Sequence, residues 1–154
     1  MNGHNDPVVL TDPDASDRFG AALAKLVVPG DVITLAGPLG AGKTSIVRGL
    51  LAALGLAGEA PSPSFAIVQP YAPPDTILPV LHVDLYRIDD PNEIAELGLD
   101  DAAAEQLTIV EWPERAPAGY WPDALALTLS FTADGGRALT ALVPAPWRAR
   151  WPLK

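Results

Sequence analysis

The spacing of apolar residues predicts a helix near the beginning of the chain. Four of them recur every three or four positions, as on the buried face of an amphipathic helix: Phe19, Ala22, Leu23 and Leu26. Asp14 or Ser16 is the expected N-cap, because short polar side chains accept hydrogen bonds from the first helical amides. Pro29-Gly30 is expected to end this element.

A short apolar run, a glycine-rich loop and a second helix follow in that order. Residues 32–36 are apolar and partly β-branched, which favours a buried strand. The helix is predicted from about residue 43 to residue 54, where Gly55 would close it. Strand, glycine loop and helix is the order that a phosphate-binding loop requires.

The middle of the chain predicts strands separated by turns and short helices. Residues 64–69 are interpreted as an edge strand inside a proline-rich region. Alternation over residues 80–86 predicts a strand with two faces, one carrying Leu81, Val83 and Leu85 and the other carrying His82, Asp84 and Tyr86. Short helices are expected over residues 91–97, stopped by Gly98, and again from about Asp100.

The remaining strands complete a predicted sheet. Residues 107–112 favour a buried strand that Pro113 ends, and residues 124–131 and 137–143 favour a hairpin around the turn 134–136. The elements together predict an α/β protein with a P-loop NTPase-like three-layer fold, in which a mixed sheet has parallel core strands and an antiparallel edge hairpin. The length fits one domain over residues 1–154, with 1–10 and 145–154 peripheral.

Composition narrows the possible functions. The chain is 49% hydrophobic and 19% charged, which is typical of a folded globular protein. Its net charge of −9 argues against direct tRNA binding by the protein alone. Arg148, Arg150 and Lys154 are therefore interpreted as a solvated basic end. Without cysteine there is no disulfide framework, and no apolar run reaches the roughly 20 residues of a membrane span, so a cytoplasmic protein without membrane contact is expected.

The glycine-rich loop matches the phosphate-binding pattern G-x-x-x-x-G-K-[ST] in full. Glycine allows positive φ angles and a close backbone approach, so that successive amides point at an anion. Lys43 would reach the phosphates of ATP and the Thr44 hydroxyl would bind magnesium (Mg²⁺). The residues expected to bind the nucleotide are Gly37, Leu39, Gly40, Ala41, Gly42, Lys43, Thr44 and Ser45.

Two carboxylates are candidates for the acidic group that such sites use to hold a metal or the attacking water. Glu111 ends the apolar run before it, and Asp84 lies in a strand with apolar neighbours. Carboxyl ends of parallel strands face the crevice where α/β ligands bind. The sequence leaves open which of the two is the main metal-linked acid, and a purely structural carboxylate is the alternative for each.

Other residues allow more than one interpretation. Ser62, Ser64 and Phe65 either sense a γ-phosphate as a switch segment does or form an ordinary turn. His4 and His82 lack metal-ligand spacing, which favours a structural or solvated role. Trp112 is either a packing residue or a functional aromatic.

Several separated strings together resemble one family. They are Gly37-Pro-Leu-Gly-Ala-Gly-Lys-Thr44, Ser62-Pro-Ser-Phe65, His82-Val-Asp-Leu-Tyr-Arg87 and Val110-Glu-Trp112. In order and spacing they are similar to TsaE (also called YjeE), the P-loop ATPase of bacterial tRNA threonylcarbamoyladenosine synthesis. The resemblance runs from the Ser16 helix to about Arg137.

The resemblance implies an activity and partners. Family members bind ATP and magnesium, hydrolyse ATP slowly alone, and act with the TsaB–TsaD complex. By position, Lys43 and Thr44 take the phosphate and magnesium roles, and Glu111 and Asp84 take those of the family's functional carboxylates. Residues 62–65 match its switch-like segment, and Trp112 matches a tryptophan beside the site.

The resemblance also implies contacts to the nucleotide base, and two positions depart from the family. The base contacts would come from residues 13–16 and from Gly136-Arg137, although Arg137 after a turn could equally be a solvated charge. Ser16 and Ser64 stand where the family favours threonine. A hydroxyl remains at both positions, so hydrogen bonding is kept, while switch behaviour at Ser64 is more open.

Two other functions compete with a partner-coupled ATPase. One is a small-molecule or nucleotide kinase on the same fold, although the segment after Glu111 supplies only Arg115 for a phosphate-covering lid. The other is an adaptor in which ATP merely orders the Ser62 segment. No arginine finger is evident in the sequence, which fits slow hydrolysis stimulated by a partner.

Overall fold

A computed structural model describes residues 8–58, 68–99 and 103–151 of the chain. Two α-helices and seven strands form the framework, in the order β1 (Val8–Leu10), α1 (Pro13–Ala24), β2 (Val32–Ala36), α2 (Lys43–Ala53), β3 (Val68–Tyr71), β4 (Val80–Asp84), β5 (Leu107–Glu111), β6 (Leu125–Phe131) and β7 (Arg137–Leu142). Short 3₁₀ helices lie at Pro91–Leu97, Ala103–Glu105, Pro113–Arg115 and Ala145–Trp147.

The strands form one mixed sheet in the order β1-β7-β6-β2-β5-β4-β3. Strand β2 pairs in parallel with β5 and β6, and β5 pairs in parallel with β4. The β6–β7 hairpin, β1 and β3 are added in antiparallel pairing. The predicted mixed sheet with a parallel core is confirmed, and β1 lies outside the hairpin as one further edge strand.

Two hydrophobic cores lie on opposite faces of this sheet. The larger core joins α1 and α2 to inward-facing residues of β2, β5, β6 and β7. The smaller core lies under the Pro91–Leu97 segment, where Val83, Val110 and Ile94 are fully buried. Because residues alternate along a strand, β4 and β5 supply apolar side chains to both cores, and the protein has three layers.

The cap of α1 corrects a sequence prediction. Asp12 is the N-cap, and its carboxylate accepts a hydrogen bond from the amide of Ala15 at 2.8 Å. Pro13 occupies the first helical position, where its fixed φ suits the helix and its missing N–H costs nothing. Asp14 and Ser16, the predicted caps, therefore lie within the first turns, and Ser16 is buried.

Of the stretches 1–10 and 145–154, expected to be peripheral, the described residues 8–10 and 145–151 pack into the sheet and core, while 1–7 and 152–154 lie outside the described part of the chain. Strand β1 pairs with β7, and Leu10 is buried. Near the other end, the Trp147 side chain is 1% exposed in the larger core. Arg150, expected in a solvated basic end, forms a bidentate ion pair with Asp31 at 2.6 and 3.1 Å.

Smaller differences concern where elements begin and end. Strand β4 ends at Asp84 and β5 at Glu111, so Tyr86 and Trp112 follow their strands. The helix predicted over residues 91–97 is present as a 3₁₀ helix that Gly98 ends at φ 67°. Of the predicted edge strand 64–69, residues 64–67 lie outside the described part of the chain, and residues 68–71 form β3. Residues 100–102 of the other short helix also lie outside it.

Candidate functional site

The glycine-rich loop connects the end of β2 to the beginning of α2. Gly37 has φ 141°, and a Cβ atom there would lie 2.7 Å from the carbonyl oxygen of Leu129. Gly42 has φ 104° and is the N-cap of α2. The positive φ angles and the close approach of Leu129 favour glycine at these two positions of the loop.

Lys43 is the first residue of α2, and it folds back over its own loop. Its side chain donates hydrogen bonds to the carbonyl oxygens of Gly37 and, at 3.4 Å, of Pro38. Its ammonium nitrogen lies 4.0 Å from the ring centroid of Trp112. Burial lowers the pKa of Lys43, and the nearby negative charge of Glu111 partly opposes that shift.

The two candidate acids end neighbouring strands beside the loop. Strands β4 and β5 are parallel, and Asp84 is the register partner of Glu111. Both acids line a cleft of about 440 Å³ that also contains the loop. The remaining lining residues are Leu39, Gly40, Ala41, Gly42, Lys43, Thr44, Ser45, Tyr86, Arg87 and Trp112. The structure thus brings the predicted P-loop residues from Leu39 to Ser45 and both predicted carboxylates into one site.

The two acids have different surroundings. Glu111 is 4% exposed, and its Oε2 lies 2.6 Å from Nε2 of His82. Asp84 is partly exposed and accepts a hydrogen bond from the amide of Tyr86 at 3.0 Å. Burial raises the pKa of Asp84, the Tyr86 amide opposes this, and the charge of Glu111 adds to it. Glu111 is consequently the more firmly held carboxylate of the pair.

Trp112 and Tyr86 form an aromatic wall of this cleft. Trp112 has a left-handed backbone, with φ 60° and ψ 51°, directly after β5. The turn lays its indole beside Tyr86, with ring centroids 4.9 Å apart, and beneath the Lys43 ammonium. The indole borders the cleft and also packs against the smaller core, so both interpretations of Trp112, packing residue and functional aromatic, stay open.

A second, smaller cleft of about 270 Å³ adjoins the first across the glycine loop. Its lining joins the beginning of α1 to the hairpin turn: Leu10, Thr11, Asp12, Ser16, Gly40, Gly42, Ser45, Gly135 and Arg137. The Arg137 guanidinium donates to the carbonyl oxygens of Gly40 and Gly135, each at 3.1 Å, and lies 4.5 Å from the ring of Phe131. Arg137 is thus fixed against the P-loop, and Gly136 is the neighbouring turn residue.

The side chains present suit magnesium better than a metal held by protein alone. Over the described ranges, no group of three or more His, Cys, Asp or Glu side chains could enclose an ion. Mg²⁺ commonly takes one or two carboxylates and completes its shell with phosphate oxygens and water. The exposed Thr44 and the carboxylates of Asp84 and Glu111 fit that requirement.

Three predicted switch residues and one histidine lie outside the described residues. These are Ser62, Ser64, Phe65 and His4. Their proposed roles stay predictions.

Sequence reasoning missed two contacts and one residue of the site. The sequence favours a structural or solvated role for His82 and places it on the same strand face as Asp84, but it does not predict the contact with Glu111. Arg87 lines the larger cleft, although no arginine was singled out there. The contact of Arg137 with Gly40 joins residues far apart in the chain, and no local pattern predicts it.

Within the described part of the chain, none of the helices has the length and apolar character needed to cross a membrane.

Comparison with known proteins gives one consistent family. The profile of the family described as threonylcarbamoyl adenosine biosynthesis protein TsaE matches residues 10–139. Proteins named tRNA threonylcarbamoyladenosine biosynthesis protein TsaE are similar in sequence. The one from Synechocystis sp. is 39% identical over 76% of each chain. That from Bacillus subtilis is 34% identical over 84% of this chain and 80% of its own. A crystal structure of Bacillus subtilis YdiB superposes with a TM-score of 0.75 at 28% identity, covering 93% of this chain and 88% of YdiB.

Proposed function

This chain belongs to the TsaE family of threonylcarbamoyl adenosine biosynthesis proteins, and from that premise we propose that it binds and hydrolyses ATP for this tRNA modification. The observation that carries the proposal is the position of Lys43. The residue is 5% exposed at the beginning of a helix, its ammonium donates to carbonyls of the glycine loop, and Asp84 and Glu111 line the same cleft of about 440 Å³. This combination suits a magnesium-bound triphosphate.

Lys43 and the loop amides would bind the phosphates. In the structure the ammonium satisfies its hydrogen bonds on the carbonyls of Gly37 and Pro38. A phosphate oxygen is a stronger acceptor than a carbonyl, so the side chain would exchange its partners when ATP binds. Trp112 would keep the cation beside the loop during this exchange, since the indole face attracts it.

Thr44, Glu111 and Asp84 would hold the metal and the attacking water. Bound Mg²⁺ would neutralise negative charge on the phosphate oxygens. The exposed hydroxyl of Thr44 would supply one oxygen ligand from the loop side. The carboxylates lie at the opposite wall, where Glu111 is fixed by His82 and Asp84 is freer to accept a proton from water.

The smaller cleft would receive the nucleoside part of ATP. It shares Gly40, Gly42 and Ser45 with the larger cleft, so a nucleotide could extend from one into the other along the loop. The guanidinium of Arg137 forms part of its wall. Planar cations of this kind stack on aromatic bases and donate to ring nitrogens.

We further propose that the TsaB–TsaD complex is the partner. Two apolar side chains at the edge of the larger cleft support docking of another protein there, since Leu39 is 63% exposed and Tyr86 41%. A partner covering them would exclude water from the phosphates and could add charge to the transition state. Slow hydrolysis by the isolated protein would follow.

Substitution of Lys43 tests the proposal. Lys43→Ala is expected to lower ATP hydrolysis at least about 100-fold and to abolish TsaB–TsaD-dependent tRNA modification at the same time. Lys25→Ala, which removes an exposed lysine after α1, is the matched control and should leave both activities unchanged. Unchanged modification by the Lys43 variant would contradict the proposal.

Analysis of the products separates the remaining alternatives. An ATPase releases ADP and free phosphate, whereas a kinase transfers the phosphate to an acceptor. Single-turnover hydrolysis with and without TsaB and TsaD identifies an adaptor, because an adaptor would support modification without cleaving ATP.

A further inference from the structure

We propose that His82 is a positioning residue for Glu111: its imidazole fixes Oε2 of the carboxylate and so presents the other oxygen to the metal and water in the larger cleft. The inference rests on the proposed ATPase function. It assigns to His82 a task that its isolated place in the sequence did not suggest.

The contact is short and enclosed. Nε2 of His82 lies 2.6 Å from Oε2 of Glu111, and the residues are 2% and 4% exposed. In the register of β4 and β5, His82 is opposite Ile109, two residues before Glu111. The imidazole therefore reaches diagonally along the same sheet face to the end of the neighbouring strand.

The backbone on either side of the carboxylate is fixed as well. The carbonyl of Glu111 accepts from the amide of Leu85 at 3.0 Å, and the amide of Trp112 donates to the carbonyl of Leu35 at 3.2 Å. With the main chain held from both neighbouring strands, the side-chain torsions of Glu111 are what remain to be set. The hydrogen bond from His82 sets them.

The unpartnered state of Nδ1 supports the view that position 82 carries histidine for its contact with Glu111. Nδ1 of His82 is buried and has no hydrogen-bond partner among the described residues. A histidine serving only to fill the core would leave this site with an unsatisfied polar atom and no compensation, at a cost that an apolar side chain avoids. Among the described residues its polar contact is with Glu111, and the inference assigns the Nε2 proton to this contact.

A pair of amide substitutions tests the inference. In His82→Gln the amide nitrogen lies about as far from the backbone as Nε2 and can still donate to Glu111. In His82→Asn it reaches only about as far as Nδ1. Both variants place a primary amide in the same core and differ by one methylene, which changes how far the amide reaches, so thermal stability is measured alongside to separate reach from lost volume.

We expect His82→Asn to slow ATP hydrolysis without changing nucleotide binding in the absence of metal. His82→Asn should lower the rate of ATP hydrolysis at saturating ATP about 10- to 100-fold and raise the Mg²⁺ concentration needed for half-maximal rate, as loss of an outer partner of a metal ligand commonly does. His82→Gln should stay within about 3-fold of the unsubstituted protein. Binding of a fluorescent adenine nucleotide in EDTA should be the same for both, because the loop and Lys43 are unaltered. Equal hydrolysis rates for the two variants would overturn the inference.

A measurement on the unsubstituted protein covers the case in which His82→Asn does not fold. The chain has two histidines, so ¹⁵N spectra of histidine-labelled protein are simple to assign. The inference requires the Nε2–H tautomer at His82 and a change in its nitrogen shifts in Glu111→Gln. An Nδ1–H tautomer would overturn it.

The same experiments separate this inference from the proposed function. If the unsubstituted protein binds no adenine nucleotide and hydrolyses no ATP, the proposed function fails. If it does both and the Gln and Asn variants behave alike, only the role of His82 fails.

Discussion

At the end of β5, two successive residues make different contacts in the site. Glu111 remains in the strand and contacts His82, whereas Trp112 turns into the left-handed region and lies beneath Lys43. A non-glycine residue in that region costs about 1–2 kcal/mol of free energy. Contacts of the indole with the ammonium and with Tyr86 offset this cost. The strained turn thereby places an acid and a cation-binding aromatic side by side.

Asp84 gives a residue-scale prediction about pH. Its pKa in the folded protein is raised above the usual 3.8, chiefly by burial, so the folded state penalises the ionised form. Asp84→Asn keeps the shape and the acceptor for the Tyr86 amide but removes the charge. The Asn variant should therefore have the higher free energy of unfolding at pH 7, by a fraction of a kcal/mol to about 1 kcal/mol.

The higher free energy of unfolding of the Asn variant should shrink as the pH falls. Below the unfolded pKa of about 3.8, Asp84 is protonated in both states and resembles the Asn variant. Urea denaturation of both proteins at pH 7 and near pH 3.5 checks this. An Asn variant that is less stable at pH 7 would show that the carboxylate is stabilising, contrary to the effect of burial.

The site residues that could be predicted are those fixed by local spacing. Lys43 and Thr44 follow from one contiguous motif, and Asp84 and Glu111 from their places in predicted strands. The contact of His82 with Glu111 depends on the register of β4 against β5, which a single sequence does not contain. The choice of Asp12 over Asp14 as the cap of α1, by contrast, could have been predicted from the sequence, because proline favours the first helical position and Asp12 precedes Pro13.

At the scale of elements, α1 and α2 approach each other unusually closely. A Cβ atom built on Gly20 of α1 would lie 2.0 Å from the carbonyl oxygen of Ile46, and one on Gly49 of α2 would lie 2.1 Å from that of Asp17. These are backbone atoms that cannot move independently of their helices. The two glycines therefore set the distance between the helices, and with it the position of Lys43 at the beginning of α2.

Gly49→Ala tests this close packing, because helix propensity and helix packing predict opposite changes in the free energy of unfolding. Helix propensity alone would make alanine more stable by about 1 kcal/mol. Steric overlap with Asp17 should reverse this and lower the free energy of unfolding by at least about 2 kcal/mol. Ala52→Gly, at an exposed position of the same helix, is the control and should cost only about 1 kcal/mol. A Gly49 variant as stable as the unsubstituted protein, measured by denaturant unfolding, would show that the helices can separate freely.

The elements show the same limit of sequence-based prediction as the residues. Strand β2 is observed at residues 32–36 as predicted, because an apolar run between glycines marks it. Strand β1 was missed, since Val8–Leu10 is too short to show a period and its pairing with β7 joins residues far apart in the chain.

At the scale of the whole molecule, the C-terminal segment closes the larger core. Trp147 is buried among helix and sheet residues, and the guanidinium of Arg150 lies 4.2 Å from its ring. Arg150 also donates to the carbonyl of Leu26, which follows α1, and pairs with Asp31, which precedes β2. These contacts fix the loop that leads into the central strand. The segment is thus a structural part of the fold.

Removal of the ion pair should destabilise the protein as a whole. In Arg150→Ala the carboxylate of Asp31, which is 8% exposed, loses its cation and keeps only the Val28 amide as a donor. An expected loss of about 3 kcal/mol in the free energy of unfolding follows. Arg148→Ala, at an exposed position two residues earlier, should change it by less than about 0.5 kcal/mol. Similar melting temperatures for both variants would mean that the pair is solvated.

The strand order bears on how the protein is made. Strand β2 and the glycine-rich loop are synthesised early, whereas the strands that pair with β2, namely β5 and β6, begin some seventy or more residues later. Strand β1 likewise cannot pair until β7 has been synthesised. A nascent chain therefore exposes apolar residues of α1, α2 and β2 until β5 and β6 have been synthesised. We expect this half-built sheet to be prone to aggregation during translation.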